Sequence, residues 1–208
     1  PGGMGLESTA RQARYRFLRE AAERWGARYV ATGHTADDQA ETILHRILRG
    51  TGLRGLGGIP AVRPLTIGVT LIRPLLSVRR AEVYEYLQSL GQDFRTDSSN
   101  REFRFARNRI RCDLIPRLTT GYNRDIVNAL IRLGSLAGQA QSIVDRLADQ
   151  LVQRCVAKND AHGVELHCRE LSDASPMLAG EVFIAIWRMR HWPLRDMGFE
   201  QWSELTAL

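Results

Sequence analysis

Apolar residues recur at helical spacing in several long stretches of this chain, with short extended runs between them, and the order of these elements predicts the architecture. Between Leu6 and Gly26 the residues Ala10, Ala13, Phe17, Ala21 and Trp25 lie about a turn apart, Ser8 or Thr9 stands near the entry and Gly26 is the stop. Arg11, Arg14, Arg16 and Arg19 fall mostly on the other side of that helix. Arg28-Tyr29-Val30-Ala31-Thr32 is a β-type run closed by Gly33, and Ala36 to Arg49 is helical again, with Ile43, Leu44, Ile47 and Leu48 as its stripe. Helix, strand, helix is the grammar of an α/β domain. Gly50, Gly52, Gly55, Gly57 and Gly58 make the stretch up to Pro60 a loop, since each glycine loses backbone freedom in a helix.

Extended segments follow at 61–64 and 68–73, then a helix from Arg79 to Leu90 ended by Gly91. Residues 92–106 are polar and irregular, and Arg107 to Leu118 returns to helix with Pro116 near its end. After Gly121 the character changes. Ile126, Leu130, Leu133, Leu136, Ala140, Ile143, Leu147 and Leu151 predict one long helix from Asp125 to about Val156. A strand at Val164–His167 and helices near 177–191 and 199–208 complete the chain, with a domain boundary expected near Gly121.

Composition narrows the class. The chain has 208 residues, a formal net charge of +6 and a pI of about 9.8. That length suits one domain or one and a half, and no apolar run approaches the ~18 residues of a membrane span. Cys112, Cys155 and Cys168 form no C-x-x-C pair, which gives neither a disulfide framework nor a zinc ribbon and fits a reducing cytoplasm. Lys158 is the only lysine among 29 basic residues. Pro1-Gly2-Gly3 shows neither an initiator methionine nor a signal-peptide pattern, which reads as a chain cut from something longer.

The richest candidate chemistry is Gly33-His34-Thr35-Ala36-Asp37-Asp38-Gln39-Ala40-Glu41-Thr42, at the strand-to-helix mouth where open α/β sheets place ligands. Free N–H groups there, with a carboxylate able to hold Mg²⁺, suit a nucleotide phosphate. The plainer reading is a capping-box variant of Thr35 and Asp38, with acids offsetting the helix dipole. The glycine-rich loop matches neither G-x-G-x-x-G nor the P-loop ending, and reads either as a flexible loop over a ligand or as a structural turn. Between Arg101 and Arg117 six arginines stand against Glu102 and Asp113, with Phe103 and Phe105 interleaved. This is a basic face that is either merely solvated or made for nucleic acid. His45, His162, His167 and His191 have no second ligand at metal spacing.

Taken together these motifs resemble a known family. Glu7-x-x-Ala10-Arg11-x-x-Arg14-Tyr15, Ala31-Thr32-Gly33-His34-x-x-Asp37-Asp38-Gln39-x-Glu41-Thr42 and Arg49-Gly50-Thr51-Gly52-Leu53-x-Gly55-Leu56 look like the PP-loop ATPases that modify tRNA. Arg73-Pro74-Leu75-Leu76, the helix with Arg80 and Glu82, Asp97-x-Ser99-Asn100 and Arg107-Asn108-Arg109-Ile110-Arg111 point within them to the tRNA(Ile)-lysidine synthetase family. The resemblance is close over residues 5–118 and looser beyond. It implies a partial α/β, adenine nucleotide alpha hydrolase-like (PP-loop) domain over 1–120. A linker helix and part of a mostly helical, tRNA-binding domain would follow over 121–208.

The activity implied is an ATP-dependent ligation. ATP adenylates C2 of the wobble cytidine of a CAU-anticodon tRNA(Ile), and free L-lysine displaces AMP, so that the tRNA reads AUA. On matching positions His34, Asp38 and Arg14 are candidate catalytic residues, and Asp37, Glu41 and Arg11 would support ATP, metal or lysine. Arg107, Asn108, Arg109 and Arg111 would meet tRNA. ATP and Mg²⁺ are the implied cofactors, no metal ligand set is assigned, the cytoplasm is the implied location and a homodimer is compatible. The family's Ser-Gly-Gly-x-Asp-Ser loop does not occur in these 208 residues, where Gly2-Gly3-Met4-Gly5 is only an echo. The expectation is a fragment of a lysidine synthetase, inactive alone. The alternatives are a PP-loop tRNA thiolase, disfavoured because no C-x-x-C is present, and a non-catalytic RNA-binding module.

Overall fold

The computed structural model describes residues 6–95, 106–194 and 197–207. Asp97, Ser99, Asn100, Arg101, Phe103, Arg104 and Phe105, which the sequence reading singled out, lie outside them. The described chain forms two compact units that divide between Leu136 and Ala137, inside a long helix.

In the first unit helix α1 (Leu6–Arg24) leads into strand β1 (Tyr29–Ala31), helix α2 (Ala36–Leu48) and a one-turn helix α3 (Leu53–Leu56). Strands β2 (Val62–Thr66) and β3 (Val69–Ile72) follow, then α4 (Arg80–Ser89). The sheet order is β1-β3-β2: β1 runs parallel to β3, pairing Val30 with Leu71, and β2 returns antiparallel. Central β3 buries Val69 and Leu71, as a strand covered on its inner face must. Further on come α5 (Ala106–Arg109), a π-helical turn (Ile110–Leu114) and α6 (Ile115–Gly121). Pro116 therefore sits at the start of α6, which runs on to Gly121, and not near the C-terminal end of a helix that stops at Leu118. Proline lacks the N–H for an i−4 bond, and the wider turn, in which Ile115 N–H reaches the Ile110 carbonyl, accommodates it.

The long helix α7 (Ile126–Cys155) starts in this unit, where Val127 and Leu130 pack on Ala40, Ile43 and Leu44 of α2 and on Ile110. Its contact with α2 is close enough that a Cβ on Gly134 would stand 2.5 Å from Ile43 Cδ1. The buried seam of α7 is Val127, Leu130, Ala137, Gln141, Ala148, Leu151 and Cys155, whereas Leu133, Leu136, Ile143 and Leu147 of the expected stripe are exposed. Small residues win because they let backbones approach. The same correction applies to α1. Ala22 is buried and Tyr15 and Leu18 half-buried, while Phe17 and Trp25 of the expected stripe are 67% and 80% exposed.

The glycine-rich stretch is neither free nor wholly loop. It holds α3 and is pinned to α2: Gln39 Nε2 donates to the carbonyls of Gly57 and Ile59, Ile59 N–H donates back to Gln39 Oε1 at 2.6 Å, and Arg46 donates to Gly55 and Gly58 at 2.6 and 2.8 Å. Gly58 is required, having φ +70° and a Cβ position 2.7 Å from the Gln39 carboxamide.

In the second unit α7 packs through Ala148, Leu151 and Cys155 against Val182 and Ile186 of α9 (Pro176–Met189). The hairpin of β4 (Val156–Asp160) and β5 (Gly163–Leu166) and the short α8 (Cys168–Ser172) flank them, and α10 (Phe199–Thr206) ends the unit. The sequence reading carried the helix to Val156 and missed β4 and α8. Trp187 packs edge-on against Trp192 and Trp202, with ring centroids 4.7 and 5.4 Å apart.

Candidate active site

The turn from β1 to α2 builds the site. Thr35 is extended (φ −105°, ψ 174°) and caps α2, and its N–H and Oγ1 both donate to Asp38 Oδ2 at 2.9 Å. Asp38 is thus the capping acid of the plainer reading and also a cleft residue. One residue earlier, His34 Nδ1 lies 3.0 Å from Thr32 Oγ1. His34 opens onto a cleft of about 490 Å³ at the carboxyl end of β1. Arg11, Arg14, Tyr15 and Leu18 line it from α1, Thr32, Gly33 and Asp38 from the turn, and Arg107, Asn108 and Arg111 from the α5–π segment.

The structure therefore brings His34, Asp38, Arg14, Arg11, Arg107, Asn108 and Arg111 to one cleft, although they lie up to 100 positions apart in the chain. Asp37, Glu41 and Arg109 do not line it. Arg109 is exposed. Asp37 turns to α4, taking the Arg79 guanidinium at 3.0–3.3 Å and Arg80 N–H at 2.7 Å. Glu41, 1% exposed, lies behind the cleft and takes Arg111 Nε at 2.6 Å, Arg107 Nε at 3.1 Å and Arg80 at 3.2 Å. The same three arginines meet Asp38 Oδ1 at 3.0–3.2 Å. Two carboxylates and three guanidiniums form one network, the arrangement that makes a buried carboxylate tolerable.

Burial pushes the Asp38 carboxyl up, but the Thr35 N–H and the charges of Arg107 and Arg80 outweigh it and hold it below the usual carboxylate range. Asp37 is held low in the same way, burial being outweighed by Arg79 and the Arg80 N–H. His34 moves down from its ordinary value, through burial and then the positive charge of Arg73, against the opposing pull of Asp38. Its imidazole is therefore neutral near pH 7 and able to accept a proton.

Sequence reasoning places Arg80, Arg73 and Tyr15 in the motifs but not in the site. Arg73 is buried, donates to the Pro60 carbonyl and reaches the Tyr15 hydroxyl at 3.4 Å, while Arg11 and Arg63 stack on the Tyr15 ring at 5.2 and 4.8 Å. A signal for Arg80 existed: Arg79-Arg80 opens a helix, where the dipole disfavours cations unless acids face them.

The carboxylates do not fit Mg²⁺. Asp37, Asp38 and Glu41 already accept guanidinium and N–H donors on both oxygens, a divalent ion needs open oxygens, and among the described residues no group of three His, Cys, Asp or Glu could hold a metal. No described helix is long and apolar enough to cross a membrane.

A parallel strand ending in a polar strand-to-helix turn, with an arginine-lined cleft at its carboxyl end, defines an α/β domain of the nucleotide-binding kind. Comparison with known proteins makes this specific: residues 1–118 match the PP-loop domain, and the chain belongs to that family. Its curated relatives include a tRNA(Ile)-lysidine synthase of Rhodopirellula baltica, 36% identical over 227 aligned positions that take in all of this chain and 56% of the relative. The tRNA(Ile)-lysidine synthases of Nostoc sp. and Clostridium acetobutylicum are 37% and 43% identical, over 82% and 68% of this chain and 48% and 30% of their own lengths. The chain thus spans about half or less of these relatives.

Proposed function

We propose that this chain carries part of the catalytic machinery of a tRNA(Ile)-lysidine synthase. The reaction joins lysine to C2 of the wobble cytidine of a CAU-anticodon tRNA(Ile) at the expense of ATP, in the cytoplasm where the three substrates meet. The O2 oxygen attacks the α-phosphate and pyrophosphate leaves; the amine of lysine then attacks C2 and AMP leaves with the oxygen. The observation that carries this reading is the convergence of His34, Asp38 and Arg14 on one cleft.

Each residue has a job its surroundings support. Neutral His34 takes a proton from the attacking amine, and Arg14 with Arg11 offsets phosphate charge. Asp38 and Glu41 hold Arg107 and Arg111 in place beside Asn108, and those three meet the tRNA at the cleft while Arg109 meets it outside. Asp37 positions α4 rather than touching ATP. Mg²⁺ travels with ATP's phosphates, and no residue of this chain is assigned to it. Residues 1–120 belong to the catalytic domain, and 121–208 supply a linker helix and the start of a helical tRNA-binding domain.

The test is ATP-dependent incorporation of labelled lysine into CAU-anticodon tRNA(Ile) by the protein that contains this chain. His34→Ala lowers the rate about 10²- to 10⁴-fold, the range of a positioned acid or base. An unchanged rate refutes the assignment.

A further inference from the structure

The outer face of α1 carries rings that the core does not take up. At 100° per residue Arg14, Phe17, Ala21 and Trp25 fall within one strip of about 80°. Trp25 N–H still donates to the Ala21 carbonyl, so its ring continues the strip past the end of the helix. The strip begins at the cleft, which Arg14 lines, and runs from there about 16 Å at 1.5 Å per residue. Phe17 and Trp25, the aromatic members of the stripe expected along this helix, are both exposed.

Charge says what this face suits. Between Thr9 and Tyr29 six arginines stand against Glu20 and Glu23, and the Arg16–Glu20 pair is a loose, exposed one at 3.8 Å. An apolar protein surface laid here leaves that excess uncompensated. An unpaired polynucleotide supplies both complements, bases for the rings and phosphates for the guanidiniums. We propose that the Arg14–Trp25 face of α1 is a stacking platform for unpaired nucleotides of an RNA strand leading out of the cleft. This deepens the tRNA reading and rests on it for the class of ligand.

The test titrates the 208-residue chain with a fluorescein-labelled single-stranded RNA of about 12 nucleotides, within the span of known single-strand sites. Phe17→Ala and Trp25→Ala each weaken binding about 5- to 150-fold, the range for losing one base–ring stack. Neither removes a charge, so the slope of log K against log salt is kept. Trp25→Phe, which keeps a ring, restores most of the affinity. Both side chains are exposed, and unchanged far-UV circular dichroism verifies the fold. Undiminished binding by both alanine variants overturns the platform while lysine incorporation by the containing protein still supports the enzyme reading. A dimer seen by sedimentation and abolished by Phe17→Ala also overturns it, since the face then meets a second copy. Failure of the unaltered chain to bind RNA overturns the platform and leaves the enzyme reading to the lysine assay.

Discussion

Glu41→Gln isolates what the buried carboxylate contributes, because the amide keeps the shape and removes only the charge. Glu41 accepts four bonds from Arg80, Arg107 and Arg111, the shortest at 2.6 Å, and shares those arginines with Asp38. With the charge gone, Asp38 alone faces three guanidiniums, and the Gln Nε2 presents donors to donors. Removing one partner of a buried ion pair costs about 3–5 kcal/mol. The arginines keep between 24% and 33% of their side-chain surface in water, which offsets part of that and favours the lower end, about 3 kcal/mol. Urea unfolding followed by circular dichroism reads this directly. With a slope of about 2 kcal/mol per molar, the midpoint of the first unit falls by about 1.5 M. The contrast is Glu20→Gln, which breaks the exposed 3.8 Å pair with Arg16 and costs under about 0.5 kcal/mol, or 0.25 M. If Glu41→Gln shifts the midpoint no more than Glu20→Gln, the network is not holding the α2–α5 contact and the argument from it is wrong.

Acid should also loosen the first unit. Asp37 and Asp38 titrate below 3.8 when folded, so their stabilisation is full above that unfolded value and is lost as pH falls through the folded ones; urea midpoints between pH 6 and 2.5 show it, and Asp38→Asn flattens the curve. His34 stays neutral in the folded chain below its ordinary 6.5, so only the unfolded state takes up the proton there and stability drops as pH falls below that value; a histidine Cε1–H titration with its midpoint at or above 6.5 refutes the burial argument. Gly58→Ala destabilises more than Gly50→Ala. Both have positive φ, costing about 1 kcal/mol with a Cβ, but only Gly58 also meets Gln39 at 2.7 Å, and equal melting temperatures contradict the clamp.

Much of this protein was legible in the residues themselves. The β1–turn–α2 unit follows from local rules: a β-type run, a capping Thr35 with Asp38 three positions on, and an apolar period of 3.6. Those constraints act within a few residues, so the sequence alone determined the helix–strand–helix order around β1, the strand-to-helix mouth and the motifs that resemble the PP-loop family. Which face of a helix is buried is a different kind of fact. On α7 Leu133, Leu136, Ile143 and Leu147 of the expected stripe are exposed, and a seam with Gly134, Ala137 and Ala148 beside Leu130 and Leu151 is buried, because packing rewards close approach as well as hydrophobicity. On α1 it is Tyr15, Leu18 and Ala22 that face inward. Tertiary structure alone also decided the fate of the charges. Arg107 and Arg111 read as a basic surface run, yet they meet Asp38 and Glu41 from about 70 positions away, since buried carboxylates need cations wherever the chain can bring them.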